Sequence, residues 1–280
     1  MASHPNIIFI LADDMGFGDA MCYDPDYCKV PTPYIDQLAA EGMRFTDAHG
    51  VSSLCTPSRY GILTGRYAWR SRLQTGVLRP YDPPLIAEDR LTVPQLLREH
   101  GYATACIGKW HLGWDWPERD GEPVFDEPIG SGPITRGFDT YFGDDVPNYP
   151  PYAFIEDDRV QGDPTVTIER DAELVLNHPG PGLPDWPFDA VLPTLAARAV
   201  DYIADRAADP EPFFLFFTLT TPHEPIAPSP EFRGKSGISG VADLIMETDW
   251  AVGQIMDALQ AHGIADDTLL IFTTDNGHCP

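Results

Sequence analysis

The feature that most constrains this chain is a repeated pairing: a short unbroken apolar run that empties into polar, chemically capable residues. "NIIFIL" (6–11) leads to Asp13-Asp14, and "YATACIG" (102–108) leads to Lys109-Trp110-His111. "PFFLFFTLTT" (212–221) leads to Pro222-His223-Glu224, and "TLLIFTTDNG" (268–277) carries Asp275-Asn276 at its end. A continuous apolar run of this length reads as a strand covered on both faces. Helical patterns lie between the runs. Thr32 as cap, Pro33 in the first turn and Gly42 as stop frame "TPYIDQLAAEG", and Thr92 to Gly101 repeats that grammar. Residues 193–207 and 241–262 read as two longer helices, the second closed by Gly263. Strand and helix in alternation specify an α/β fold, a mostly parallel sheet sandwiched by helices. Residues 114–190, rich in Pro, Gly and Asp and without periodicity, are expected to form long ordered loops over that sheet. No internal repeat is visible.

With 280 residues, 43% of them apolar and 11% aromatic, the chain buries a substantial core and is globular. No run of about 18 apolar residues exists, so no membrane span is expected. The start, "MASHPNIIFILADD", lacks the basic region and small-residue cleavage site of a signal peptide. The expectation is a cytoplasmic protein, or one from which a leader has been removed. The charge is lopsided: 18 basic against 43 acidic residues give a net −25, which disfavours nucleic acid or an anionic membrane as partner. An anionic substrate then needs a local positive island in a repulsive field. Lys29, Lys109 and Lys235 are the only lysines, which gives Lys109 unusual weight. Cys22, Cys28, Cys55, Cys106 and Cys279 form neither a disulfide framework nor a paired zinc spacing. Cys22 and Cys28 read as a local bridge or as two free thiols.

In open α/β sheets, ligands bind beyond the C-terminal ends of the strands. A single strand-end aspartate is most often a turn former or a cap; four strands ending in chemistry outweigh that. Asp13, Asp14, Asp275 and Asn276 offer hard oxygens only, a set suited to Ca²⁺ or Mg²⁺ rather than zinc. Three crowded carboxylates also repel one another without a cation between them. Arg59, Lys109, His111 and His223 supply positive charge and donors for an anionic group. Metal and donors together would stabilise negative charge developing on oxygen. Cys55, in "LCTPSRYGILTGR" (54–66), stands before a proline expected to start a helix. By itself it reads either as a small core residue or as a reaction centre.

"CTPSRYGILTGR" resembles the signature of the type I, formylglycine-dependent sulfatases, arylsulfatase-like members of the alkaline-phosphatase superfamily. "NIIFILADDMGFGD", "GYATACIGKWHLG", "GFDTYFG", "TTPHEP" and "TTDNG" match that family in order, so the resemblance covers nearly the whole chain. It implies that a maturation enzyme reading Cys-x-Pro-x-Arg oxidises Cys55 to formylglycine. The hydrated aldehyde attacks sulfur with one hydroxyl and releases sulfate when the second loses its proton, a covalent mechanism with a built-in exit. The resemblance further implies Asp13, Asp14, Asp275, Asn276 and the oxidised Cys55 as Ca²⁺ ligands. Arg59 holds the hydrated aldehyde, Lys109 and His223 bind sulfate with His223 as acid, and His111 assists the second deprotonation. Ser58 serves maturation and packing, and Pro57 starts a helix whose N-terminus faces the anion.

Family members continue past the Asp-Asn-Gly motif, where a further lysine binds sulfate, the sheet is completed and a small C-terminal domain follows. This chain stops at Pro280, and neither Lys29 nor Lys235 stands where that lysine belongs. The expectation is one catalytic domain over 1–280, the N-terminal portion of the family fold without its C-terminal subdomain. An open final strand would invite self-association. Three functions follow: a sulfatase acting on a sulfated carbohydrate, its sugar ring seated by aromatics of 114–190; a phosphonate or phosphate ester hydrolase of the same superfamily; or an inactive sulfatase-like binding protein.

Overall fold

The computed structural model describes residues 4–171 and 177–278; Cys279 lies outside the described residues. In chain order the elements are β1 (Asn6–Asp13), α1 (Pro33–Glu41), α2 (Cys55–Thr64), α3 (Val93–Glu99) and β2 (Ala103–Gly108). The loop-rich middle holds short strands: β3 (Glu118–Arg119), β4 (Glu122–Pro123), β5 (Thr140–Gly143), β6 (Ile155–Glu156), β7 (Arg159–Val160), β8 (Val166–Ile168) and β9 (Gly180–Gly182). After these come α4 (Val191–Arg206), β10 (Phe213–Pro222), α5 (Gly240–Ala261) and β11 (Thr268–Thr274).

The main sheet runs β11-β1-β10-β2-β5-β6-β7. Its first five strands are parallel, with registers such as Ile8 against Leu215 and Leu215 against Ala105, and β6 and β7 are antiparallel additions at one edge. Alternation along β10 explains the two cores. Phe213, Leu215 and Phe217 pack with Ile8, Ile10, Ala199, Ile203, Val252 and Ile255 under α4 and α5. Phe214 and Phe216 face the other way, onto Tyr60 and Leu63 of α2 and onto Trp110, Trp114 and Phe138. Every residue of β10 is buried, the pattern of a central parallel strand. No helix among the described residues is long and apolar enough to cross a membrane.

Several expectations change. The 114–190 region is not loop alone: β5 pairs with β2 as a fifth parallel strand. Its four residues, between Asp139 and Asp144, are too short to show a periodicity. Tyr152 of "PNYPPYAFIEDD" is buried, and Trp114, Trp116 and Tyr141 are core, so packing takes most of the aromatics expected to seat a sugar. Helix α2 begins at Cys55, which places Pro57 inside the first turn instead of at its start. Thr32 flanks α1 but does not cap it; Asp249 of α5 accepts from the Tyr34 and Ile35 amides instead, at 3.0 and 2.8 Å. Thr92 does cap α3, accepting from the Gln95 amide. Cys22, Cys28, Cys55 and Cys106 are all free thiols.

Candidate active site

Because β1, β10, β2 and β11 are parallel and adjacent, their C-terminal ends deliver Asp13-Asp14, His223, Lys109 and Asp275-Asn276 to one edge of the sheet. Helix α2 meets that edge with Cys55 in its first turn and Arg59 one turn further on. Two backbone devices aim the side chains. Asp14 and His111 take left-handed backbone, φ 63° and 53°, a strained state for residues with a Cβ and one that recurs at functional sites. Gly108, at φ 115°, lets β2 pass against β10, for a Cβ there would sit 1.7 Å from the Thr218 carbonyl oxygen.

At the centre, one ligand atom each from Asp13, Cys55 and Asp275 lie within 4.8 Å of one another. Asp14 joins them: its Oδ1 is 3.8 Å from Cys55 Sγ and accepts from Asn276 Nδ2 at 2.5 Å. Arg59 is fully buried. Its Nε and one terminal nitrogen donate to Asp275 Oδ2 at 3.1 and 2.9 Å, that same nitrogen donates to Asp13 Oδ1 at 3.1 Å, and the other donates to the Lys109 carbonyl at 2.9 Å. Arg59 is therefore the brace that holds the carboxylates together. Lys109 Nζ lies 2.6 Å from Asp13 Oδ2 and is equally buried.

The electrostatics follow from this packing. Burial opposes ionisation of Asp13, but Lys109, His223 and Arg59 outweigh it and hold the carboxyl well below its usual range. Burial, then the Asp13 charge, pushes Asp275 up to about 7. Asp13, Asp14 and Asp275 thus face only two buried cations, Arg59 and Lys109, and one negative charge remains in need of compensation. A divalent cation fits that need, because the donors are hard oxygens and Asn276 Oδ1 is buried without a hydrogen-bond partner. Burial raises the Cys55 thiol far above its ordinary value and keeps it protonated. A thiol so held is a poor nucleophile.

The two histidines differ in a way the sequence does not show. His111 Nε2 meets the Leu78 carbonyl at 3.1 Å, while its Nδ1 is buried without a partner. Burial and then Lys109 hold this ring neutral, so Nδ1 keeps a free lone pair. His223 Nδ1 meets the Glu224 carbonyl at 2.7 Å, and its Nε2 points inward, 3.9 Å from Asp14 Oδ2. The structure therefore gathers every expected site residue: Asp13, Asp14, Cys55, Arg59, Lys109, His111, His223, Asp275 and Asn276.

Sequence reasoning missed the layer behind them. Asp145, just past β5, accepts from the His111 amide at 3.1 Å and from Trp114 Nε1 at 3.0 Å. Asp144 is buried with both carboxylate oxygens unpartnered, and burial lifts it to about 7. Tyr149 sets its ring edge-on to His111, centroids 5.8 Å apart, with burial the main influence on its hydroxyl and Lys109 the next. The signal for the aspartates was present: "TYFGDD" is one more apolar run emptying into acids, only shorter.

Comparison with known proteins agrees with this geometry. The profile of the Sulfatase family matches residues 5–279. An N-acetylgalactosamine-6-O-sulfatase of Bacteroides thetaiotaomicron is 36% identical over 98% of this chain and 59% of its own length. Human arylsulfatase A is 36% identical over 99% of this chain and 53% of its own length. The chain thus spans between half and three-fifths of these curated relatives. Among solved structures, a sulfatase from the glycosaminoglycan metabolism of B. thetaiotaomicron superposes with TM-score 0.85 at 32% identity, over 99% of this chain and 63% of that one. A phosphonate monoester hydrolase of Agrobacterium radiobacter shares the fold at TM-score 0.61 and 18% identity, over 98% of this chain and 62% of that one. With the profile spanning nearly every residue and the strand-end cluster lying inside the match, the chain belongs to the sulfatase family.

Proposed function

We propose that this chain carries the catalytic centre of a sulfuric ester hydrolase that releases sulfate from a sulfated carbohydrate, with Cys55 as the precursor of a formylglycine nucleophile. The observation that carries the reading is the buried, protonated Cys55 thiol set among Asp13, Asp14 and Asp275. As a thiol it is inert, and as an aldehyde it would supply a hydroxyl nucleophile and a way to release the bound sulfate. The partner implied is a maturation enzyme that reads Cys55 to Arg59.

Asp13, Asp14, Asp275 and Asn276 would hold Ca²⁺, which supplies charge neutralisation for sulfate oxygens and for the nucleophile. The remaining tasks fall to the chain's own groups. Lys109 Nζ and His223 Nε2 bind the sulfate oxygens. His223, braced through Nδ1 by the Glu224 carbonyl, gives a proton to the leaving alcohol when it enters the cycle protonated. His111, donating through Nε2 to Leu78 and held neutral, accepts the proton of the second hydroxyl at Nδ1. One histidine is thereby oriented as acid and the other as base. A sugar ester is favoured by the names of the relatives, N-acetylgalactosamine-6-sulfatases among them.

The test combines two measurements on protein made with a maturation enzyme present. The tryptic peptide from Phe45 to Arg59 is weighed, and inorganic sulfate release from N-acetylgalactosamine-6-sulfate is compared with hydrolysis of a phenylphosphonate monoester. A peptide lighter by the exchange of thiol for aldehyde, with sulfate released faster than phosphonate, is expected. Full sulfate release by protein whose peptide keeps its thiol would overturn the nucleophile; faster phosphonate cleavage would overturn the substrate class.

A further inference from the structure

The ring of His111 is held by one hydrogen bond. Its Nε2 meets the Leu78 carbonyl at 3.1 Å, and its Nδ1 is buried without a partner. Leu78 is itself tied, its amide donating to Thr56 Oγ1 at 3.2 Å, so that end of the contact is fixed. The other end is not. One hydrogen bond gives a single N–H its direction but leaves the plane of the imidazole to turn about it, because χ2 of histidine is a broad torsion. Packing has to hold the plane.

Tyr149 stands in the place where that packing is needed. Its ring lies at 80° to His111, centroids 5.8 Å apart, and at 89° to His178, centroids 4.9 Å apart. Near-perpendicular pairs of this kind are a favoured arrangement of aromatic rings. Tyr149 is half-buried and belongs to neither hydrophobic core, so core packing does not account for a large ring at this position. Its hydroxyl is pushed up by burial, and the ionisable groups that act on it most are Lys109, Asp145 and Cys55, which places it at the site.

A separate stretch of chain keeps Tyr149 there. The Tyr149 amide donates to the Val146 carbonyl at 2.9 Å. The Asn148 carbonyl accepts from the His178 amide and from the Tyr152 hydroxyl, each at 2.9 Å. The Tyr152 amide donates to the Pro181 carbonyl at 2.9 Å, and its carbonyl accepts from the Leu183 amide at 3.0 Å. Pro181 belongs to β9, paired with β8. The β8–β9 excursion is thus fastened to the loop that carries Tyr149.

We propose that Tyr149 is a positioning residue for His111: its ring holds the imidazole plane, keeping Nε2 on the Leu78 carbonyl and Nδ1 open to the proton it receives. The inference rests on the proposed sulfatase mechanism for the role of His111. The contact is between rings, so the phenyl ring and not the hydroxyl does the holding. Without it the imidazole can turn away from Leu78. The hydrogen bond at one ring nitrogen decides which nitrogen carries the proton, and molecules with the proton on Nδ1 cannot accept another there.

Two variants separate ring from hydroxyl: Tyr149→Leu removes both, and Tyr149→Phe removes the hydroxyl alone. The first readout needs no maturation. Ring-nitrogen NMR spectra are recorded on the full chain with Cys55 unoxidised and the histidines isotope-labelled; the His111 signals are those lost in His111→Asn. Wild type and Tyr149→Phe should show one neutral tautomer, with the proton on Nε2, whereas Tyr149→Leu should share the proton between the two nitrogens. In matured protein, kcat for p-nitrophenyl sulfate should fall roughly three- to tenfold in Tyr149→Leu at unchanged KM, and Tyr149→Phe should behave as wild type. His178→Ala, a change at an exposed residue, should give a weaker form of the same two effects. Wild-type spectra and kcat in Tyr149→Leu, or in His178→Ala should Tyr149→Leu not fold, would overturn the proposal. So would a Tyr149→Phe as impaired as Tyr149→Leu, which would assign the effect to the hydroxyl, or a loss confined to KM, which would make Tyr149 a substrate contact. Failure of the sulfatase reading would appear separately, as no sulfate release by matured wild type while the nitrogen spectra still report the contact of Tyr149 with His111.

Discussion

Two tendencies compete at Cys55. A place in the first turn of a helix lowers a thiol's pKa, whereas enclosure raises it. Cys55 is only 7% exposed, and burial wins despite Lys109 and Arg59 nearby. The residue therefore makes little sense as a thiolate nucleophile and good sense as a site of prior oxidation. Cys55→Ala should abolish sulfate release while leaving the thermal unfolding midpoint nearly unchanged; retained turnover would remove Cys55 from the mechanism. Asp145 gives the complementary prediction. Its carboxylate accepts from Trp114 Nε1 and shares the His111 amide with the Asp145 backbone carbonyl, so Asp145→Ala leaves the buried Trp114 Nε1 unsatisfied and removes one of the two acceptors of the His111 amide. A loss of about 1–3 kcal/mol of stability is expected in urea unfolding, with activity falling as His111 loosens. The residue types of the site were legible because hard oxygens and cations collect at strand ends. The brace made by Arg59 and the opposite orientations of His111 and His223 were not. They depend on carbonyls of Lys109, Leu78 and Glu224, and a carbonyl has no letter in a sequence.

Among the elements, the long parallel strands were readable because burial on both faces erases alternation and leaves unbroken runs, as in β1 and β10. Strand β5 was not, since four residues carry no period. The start of α1 shows a different limit. Thr32 has the right chemistry for a cap, yet the acceptor is Asp249, 214 residues away from Ile35 in the chain and supplied by α5. Burial lifts Asp249 to about 6 despite those amide bonds. A carboxyl whose folded pKa lies above its unfolded one contributes stability that is present below about pH 4 and disappears as pH rises through about 6. The unfolding midpoint of the wild type relative to Asp249→Asn should therefore fall between pH 4 and 6.5 and then level. Parallel curves for the two proteins would show that Asp249 does not titrate in this range.

For the molecule as a whole, a net −25 surrounds a centre built to receive anions. Repulsion at long range and attraction at short range respond differently to salt, because screening acts first on exposed, distant charge. For a small monoanionic aryl sulfate, raising ionic strength from 10 to 150 mM should lower KM. A KM that rises over the same range would mean that the net charge does not repel the substrate.

The centre is also assembled from the two extremes of the described chain. Asp14 and Asn276, 262 residues apart, meet at its heart, and Arg59 bridges Asp13 to Asp275. A polypeptide made from its N-terminus onward has Cys55 in hand long before the strand that delivers Asp275 and Asn276. Until then Arg59 lacks one of its two carboxylates, and Asn276 is not there to hold Asp14, whose Oδ1 lies beside the thiol. The time taken to synthesise the remainder is thus an interval in which the centre stays incomplete, and docking of β11 against β1 ends it.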